Sequence, residues 1–232
     1  MPLIVLWDID HTLIENSGVS KEIYAAAFAA VADHVPRHPA RTEGRTDRLI
    51  LAEMFRDHGM DPPAWERAVL ALEAAGAGRE ADLAVRGRAL PGVREALVAV
   101  AAEPGMVSSV LTGNIAANAR VKLRAFGLDV LLDMDCGAYG ERSEDRAALV
   151  KVAREQIQQV HGLPHETPVV LIGDTPRDVQ AALDSDAHVV AVASGIHSVD
   201  ELREAGASMV LPDLRGTAAL MRHLRSLADP VD

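Results

Sequence analysis

The sequence predicts an α/β protein: a doubly wound, Rossmann-like parallel sheet with an inserted α-helical module. Three observations carry that expectation. Over residues 90–211, short apolar runs rich in β-branched residues alternate with stretches of helical period. One more such run, residues 2–9, stands alone at the front of the chain. Between the two, residues 17–89 carry helical patterns and no strand candidate. The expected boundaries are therefore 1–16 and 90–232 for the sheet domain and 17–89 for the helical module.

Taken in order, residues 2–9 form a continuous apolar run closed by Asp8 and Asp10, the mark of a strand buried on both faces. Ser20 opens a helical pattern through Tyr24, Ala27, Phe28 and Val31, broken by Pro36 and Pro39. Leu49, Ile50, Met54 and Phe55 mark a second helix over 48–58, stopped by Gly59. A third spans 64–75 and ends at Gly76 and Gly78. After Pro91-Gly92 a helix is expected, then a strand over 106–111 that runs into Thr112-Gly113-Asn114. A helix over 115–126 closes at Gly127, and 130–134 reads as a strand. A helix over 144–160 has Gly162 and Pro164 as stop signals. "PVVLIGD", residues 168–174, is the most strand-like run in the chain. A helix over 177–183, a strand over 188–193, a helix over 199–205 and a strand over 209–211 complete the alternation. The final "ADPVD" reads as a loose end.

Composition limits the function classes. The 232 residues are 49% hydrophobic and carry a formal net charge of −11. Non-specific nucleic-acid binding needs clustered Lys and Arg, which an acidic chain does not supply. A single cysteine, Cys136, rules out a disulfide framework or a cysteine-based zinc site within the chain. The apolar start is too short for a signal-peptide core, and no run approaches the roughly 20 apolar residues of a membrane span. A cytoplasmic protein without membrane or nucleic-acid partners is expected. Oligomeric state and the identity of any leaving group are not written in the sequence.

Open parallel sheets bind ligands beyond the carboxyl ends of their strands. Here those ends carry Asp8 and Asp10, then Thr112, Gly113 and Asn114, then Gly173 and Asp174. Several carboxylates in one crevice repel and call for a cation, and an oxygen-only donor set favours Mg²⁺. A hydroxyl, an amide and backbone N–H groups beside it suit a phosphate. His161, His165 and Glu166 have metal-like spacing but span a Gly/Pro loop, so they read as surface groups. Cys136 reads as packing.

The chain resembles the haloacid dehalogenase-like hydrolase superfamily through three motifs in order: Asp8-Ile9-Asp10-His11-Thr12, Thr112 in "LTGN", and Gly173-Asp174-Thr175-Pro176-Arg177-Asp178. The resemblance implies that Asp8 attacks phosphorus to form an aspartyl-phosphate. It implies that Asp10 protonates the leaving alcohol and then activates water. Asp8, Asp174 and the backbone carbonyl of Asp10 would ligate Mg²⁺, with Asp178 supporting the metal site. Thr112, Gly113 and Asn114 would hold phosphate oxygens. Asp10 favours phosphoryl transfer over dehalogenation, since halide leaves without a proton. The third-motif cation is expected at Arg146, with Lys122 as the alternative and Lys151 less favoured. The helical module matches a substrate-selecting cap, in which "EGRTD", residues 43–47, offers Arg45 and Thr46 to a substrate. His11 departs from the glycine usual at its position, and its N–H is expected near the phosphate with the ring peripheral.

The function expected is a Mg²⁺-dependent phosphatase acting on a small phosphorylated metabolite, nearest to the phosphoglycolate-phosphatase-like branch. Two alternatives stay open: a phosphomutase of the same superfamily, and a non-enzymatic, receiver-like phospho-acceptor or binding protein.

Overall fold

A computed structural model describes residues 1–229 of the chain. Ten α-helices and eight strands follow one another among these residues. Strand β1 (Leu3–Trp7) opens the chain, and the two-residue β2 (Ile14–Glu15) follows it. Helices α1 (Val19–Ala32), α2 (Asp47–Asp57), α3 (Trp65–Gly76) and α4 (Glu80–Arg86) come next. The chain returns through β3 (Arg88–Ala89). Then α5 (Val93–Ala101), β4 (Met106–Thr112), α6 (Ala116–Arg124), β5 (Asp133–Tyr139) and α7 (Arg146–His161) alternate. They continue as β6 (Val169–Gly173), α8 (Pro176–Asp184), β7 (His188–Val192), α9 (Val199–Glu204), β8 (Met209–Leu211) and α10 (Thr217–Ala228).

Six strands form one parallel sheet in the order β5-β4-β1-β6-β7-β8. β1 lies between β4 and β6, so its alternating side chains feed two cores. Leu3, Val5 and Trp7 face α5, α6 and α10, whereas Ile4 and Leu6 face α7, α8 and α9. All five are fully buried, which explains why the run is apolar at every position and not at every second one. Truncating one of them, as in Leu6→Ala, removes packing worth about 2–5 kcal/mol.

The inserted helices α1 to α4 surround a third apolar cluster built on Phe28, Ile50, Leu51, Phe55, Leu72 and Leu83. Ile115, from the start of α6, plugs into that cluster from the sheet side. The chain enters and leaves the insert through β2 and β3, which pair antiparallel with Ile14 opposite Ala89. A two-residue strand has no readable period, so this ribbon was invisible in the sequence. So was α4, a short helix with only Leu83 buried.

Two further expectations are corrected. The strand expected over 130–134 lies further along: Asp129–Leu131 form a 3-10 turn with Val130 at 79% exposure, and only residues 133–134 of that range belong to β5, which begins at Asp133. The true strand hides because Asp133 and Asp135 break its apolar pattern on the sheet edge. Residues 217–228 were not assigned to any element, yet α10 buries Leu220, Met221 and Leu224 against the first core. Its final residue is Ala228, so the first residue of the expected loose end is helical, and residues 230–232 lie outside the described residues. No described helix is long and apolar enough to cross a membrane.

Candidate active site

The reversal of strand order at β1 opens a crevice where the carboxyl ends of β4, β1 and β6 lie side by side. Thr112 closes β4, Asp8 follows β1, and Asp174 follows β6. All three are at most 6% exposed. A cavity there takes its floor from Asp8, Asp10, Thr112, Gly113, Asn114, Arg146 and Asp174. Its roof is Asn16, Ser20, Tyr24 and the 42–45 loop of the insert, and Ile196 closes one side.

After β1 the backbone makes one tight turn. Leu13 and Ile14 both donate to the carbonyl of Ile9, at 2.9 and 3.1 Å. His11 adopts the left-handed region, φ 60°, a conformation that a histidine tolerates better than most residues. Its N–H donates to the carbonyl of Ile14 at 2.8 Å, so the expectation that it faces a phosphate is corrected. The turn consumes that donor. The ring borders the cavity and its Nδ1 lies 3.2 Å from Glu15 Oε2.

Arg146 and Lys122 both reach the crevice, but they serve different acids. Arg146, the first residue of α7, lies 2.8 Å from Asp8 Oδ1 and 2.6 Å from Asp178 Oδ1 through the same Nη2. Its buried Nε has no hydrogen-bond partner among the described residues. Lys122, only 2% exposed, donates from Nζ to Asp10 Oδ2 at 2.6 Å and to Asn114 Oδ1 at 2.5 Å. Lys151 lies on an exposed face of α7. The remaining acceptor sites of Asp10 take Asn114 Nδ2 and Asn16 Nδ2, each at 2.8 Å, with Ser20 Oγ at 3.5 Å.

These surroundings split the acids. Burial, reinforced by Asp178 and Asp10, overrides the pull of Arg146 and lifts Asp8 to about 6. Burial likewise raises Asp174, aided by the charges of Asp178 and Asp8. At Asp10 burial acts in the same direction, but Lys122, Asn114 and Asn16 outweigh it and bring the carboxyl down to about 2. Burial tends to discharge Arg146, and the charges of Asp178 and Asp8 reverse that and raise it.

Asp8, Asp174 and Asp178 each offer a carboxylate oxygen within 4.8 Å of the others. Asp178 is held from behind: its Oδ2 accepts the N–H and the hydroxyl of Thr175, at 3.0 and 2.6 Å, as the box that caps α8. Asp174 accepts the Thr12 hydroxyl at 3.3 Å and has no ion-pair partner among the described residues. Gly195 lies against it so closely that any side chain there would collide with Asp174 Oδ2. Three carboxylates facing one guanidinium leave an excess of negative charge that a divalent, oxygen-seeking cation fits. The Asp10 side chain is not part of this cluster.

The insert docks here through the loop before α2. Gly44, at φ 62°, touches the start of α8, where a side chain would meet Thr175 Oγ1 at 2.7 Å. Gly113 faces the Arg45 carbonyl with no room for a side chain. Asp47, 1% exposed, ties the two parts together. Its N–H donates to the Gly113 carbonyl at 2.7 Å, and its carboxylate accepts the Ile115 N–H at 2.8 Å and the Tyr24 hydroxyl at 2.5 Å. Arg45 borders the cavity, with Nε 3.3 Å from Glu53. Thr46 is placed differently from the expectation: its hydroxyl accepts the Leu49 N–H at 3.4 Å as the cap of α2 and is turned away from the cavity lining.

Sequence reasoning did not identify Asn16, Ser20, Tyr24, Asp47, Gly195 or Ile196 as neighbours of the crevice. Only Asp47 left a trace, as the last residue of the 43–47 turn taken as a substrate-contacting loop. His161 did find acidic company, but with Asp133, at 2.8 Å, and with Cys136, instead of His165 and Glu166. That group is closed by its own hydrogen bonds, since Asp133 also accepts the N–H groups of Asp135 and Cys136.

Comparison with known proteins agrees with this architecture. The profile of the haloacid dehalogenase-like hydrolases matches residues 5–183. No curated protein matches the chain. A hydrolase from Pseudomonas syringae superposes with a TM-score of 0.69 at 24% identity, covering 96% of this chain and 99% of that one. CbbY from Rhodobacter sphaeroides, in complex with phosphate, gives 0.67 at 19%, with coverages of 93% and 96%. A predicted phosphoglycolate phosphatase from Haemophilus somnus gives 0.64 at 17%, with coverages of 95% and 98%.

Proposed function

The chain belongs to the haloacid dehalogenase-like hydrolases, and from that membership we propose a Mg²⁺-dependent phosphatase that acts on a small phosphomonoester through an aspartyl-phosphate. The observation that carries the reading is the pairing of two acids, two residues apart, in opposite electrostatic settings. Asp8 faces a carboxylate cluster with one cation, and Asp10 is ringed by donors.

Asp8 is the nucleophile. Its oxygen attacks phosphorus, the bond to the leaving oxygen breaks, and the phosphoryl group ends on the Asp8 carboxylate. Arg146 holds Asp8 in place, and its guanidinium lines the cavity where a phosphate oxygen would sit. The Thr112 hydroxyl and the Gly113 and Asn114 segment line the same wall and hold the remaining oxygens. Asp10, ionised in the empty site, takes up a proton as the phosphate dianion enters beside it, hands that proton to the departing alkoxide, and takes one back from the water that then attacks the phosphoryl group. Asp8, Asp174 and the Asp10 carbonyl would hold the cation, and Asp178 supports Arg146 behind them. When bound, Mg²⁺ neutralises the carboxylates and the phosphate, so that two anions can approach. The docked 42–45 loop keeps bulk water from the phosphoenzyme, and Arg45 and His11 border the space left for the leaving group.

Purified protein assayed against a panel of phosphorylated metabolites, with and without Mg²⁺, tests the reading. The expected result is phosphate release in step with substrate loss, dependent on Mg²⁺. An isomeric phosphate ester with almost no free phosphate would point to a mutase. A phosphorylated protein stable for hours would point to a phospho-acceptor.

A further inference from the structure

Lys122 has no evident structural duty. It sits on α6 between Ala119 and Leu123, both fully buried in the first core, and its own side chain is 2% exposed. A buried ion pair seldom stabilises a fold more than apolar residues of the same volume would. A methionine would fill the same space without the desolvation of an ammonium group. The position nevertheless holds a lysine whose Nζ reaches Asp10 and Asn114 and stays clear of Asp8, which is served by Arg146.

The contacts on Asp10 are divided between its two oxygens. Oδ2 accepts from Lys122 Nζ at 2.6 Å and from Asn114 Nδ2 at 2.8 Å. Asn114 is itself clamped, accepting from Lys122 and donating to Thr112 Oγ1 at 2.7 Å. Oδ1 accepts from Asn16 at 2.8 Å and lies 3.5 Å from Ser20 Oγ. Both of those partners are on the insert side, and Asp10 keeps 27% of its side chain open toward the cavity.

We infer that Lys122 is a positioning residue for Asp10: with Asn114 it clamps Oδ2, so that Oδ1 is the oxygen that carries the proton to and from the reacting groups. The inference rests on the phosphatase reading and deepens it. In the first step the proton leaves Oδ1 for the departing alkoxide. In the second the attacking water returns a proton to Oδ1 as its oxygen bonds to phosphorus. Lys122 exchanges no proton in either step. It therefore acts on turnover only through Asp10.

The experiment is a double-mutant cycle on the full chain with Mg²⁺, comparing wild type, Lys122→Met, Asp10→Asn and the double variant. Two substrates are used: an alkyl phosphate identified in the metabolite panel, and p-nitrophenyl phosphate, whose leaving group departs without a proton. The expected loss in the alkyl phosphate's phosphorylation step for Lys122→Met is about 100-fold, within the range of general acid catalysis, with KM within about threefold. Release of p-nitrophenol in the first turnover should fall by less than about tenfold. Adding Lys122→Met to Asp10→Asn should cost nothing further. Equal losses on both substrates, a rise in KM in place of a fall in kcat, or additive losses in the cycle overturn the inference and leave the phosphatase reading intact. Wild-type protein without turnover on any phosphate ester overturns both. Should Lys122→Met fail to fold, as judged by its melting curve, Lys122→Gln is put through the same cycle with the same criteria.

Discussion

The two halves of the crevice treat buried acid in opposite ways. Around Asp8, three carboxylates share one guanidinium, and two of them are raised by burial. Around Asp10, one carboxylate collects an ammonium group and two amides and is brought down to about 2. The first half is electrostatically incomplete as protein alone, and the second is finished. A nucleophile that must meet a phosphate needs added positive charge that arrives with a metal. An acid–base group needs a fixed direction, which the fold can supply by itself.

The largest effect is expected on the incomplete half. Asp8→Asn should lower kcat by at least ~10⁴-fold, the scale on which loss of a nucleophile acts, while the melting temperature holds or rises as a buried charge is removed. Steady-state kinetics beside a thermal melt reads both. Asp10→Asn, on the finished half, should cost about 10²- to 10⁴-fold in kcat and leave Mg²⁺ binding in place, as titration calorimetry would register. Asp174→Asn should lower activity by roughly 10²-fold or more at millimolar Mg²⁺. It should also abolish the rise in melting temperature that Mg²⁺ gives the wild type near pH 7.5. If Asp174→Asn and Asp10→Asn respond to Mg²⁺ alike, the division between the halves is wrong.

A smaller effect is expected where the insert meets the sheet domain. Asp47→Ala strands the Ile115 N–H and the Tyr24 hydroxyl and should destabilise the protein by about 1–3 kcal/mol, measured by urea unfolding. The pH dependence of stability is subtler. Asp8 and Asp47 are each raised to about 6 by burial, so both ionise more readily unfolded than folded. Stability from these groups is greatest below about pH 4 and falls as pH rises to about 6. Asp10 works oppositely: lowered to about 2, it contributes above about pH 4, and that contribution is lost as pH falls toward 2. Asp47→Asn should flatten the decline between pH 4 and 6, and Asp10→Asn should flatten the loss at the acid end.

The same contrast explains what could be read before the structure. Asp8, Thr112 and Asp174 were legible because each stands at the end of a strand whose apolar run is unmistakable, and strand order alone brings those ends together. Arg146 was legible as a cation at the start of a helix. Its rival Lys122 could not be assigned, because which acid a long side chain reaches depends on how α6 lies over the sheet. The neighbours drawn from the insert, Asn16, Ser20, Tyr24 and Asp47, carry no local signal. They become adjacent only when Gly44 and Gly113 allow two loops to touch. His11 was misread for a related reason: its N–H is spent on the turn that the left-handed conformation creates. In the fold, β5 was misplaced because its apolar residues are interrupted by Asp133 and Asp135, which serve the sheet edge.

The central claim is that Asp8 becomes the phosphoryl carrier. Protein quenched during turnover of a phosphate ester with Mg²⁺, reduced with borohydride and sequenced by tandem mass spectrometry, tests it most directly. The account predicts a reduced aspartate at position 8 and nowhere else, absent when substrate is omitted. An unlabelled Asp8 in a protein that is turning over, or a label on Asp10, Asp174 or Asp178, would contradict it.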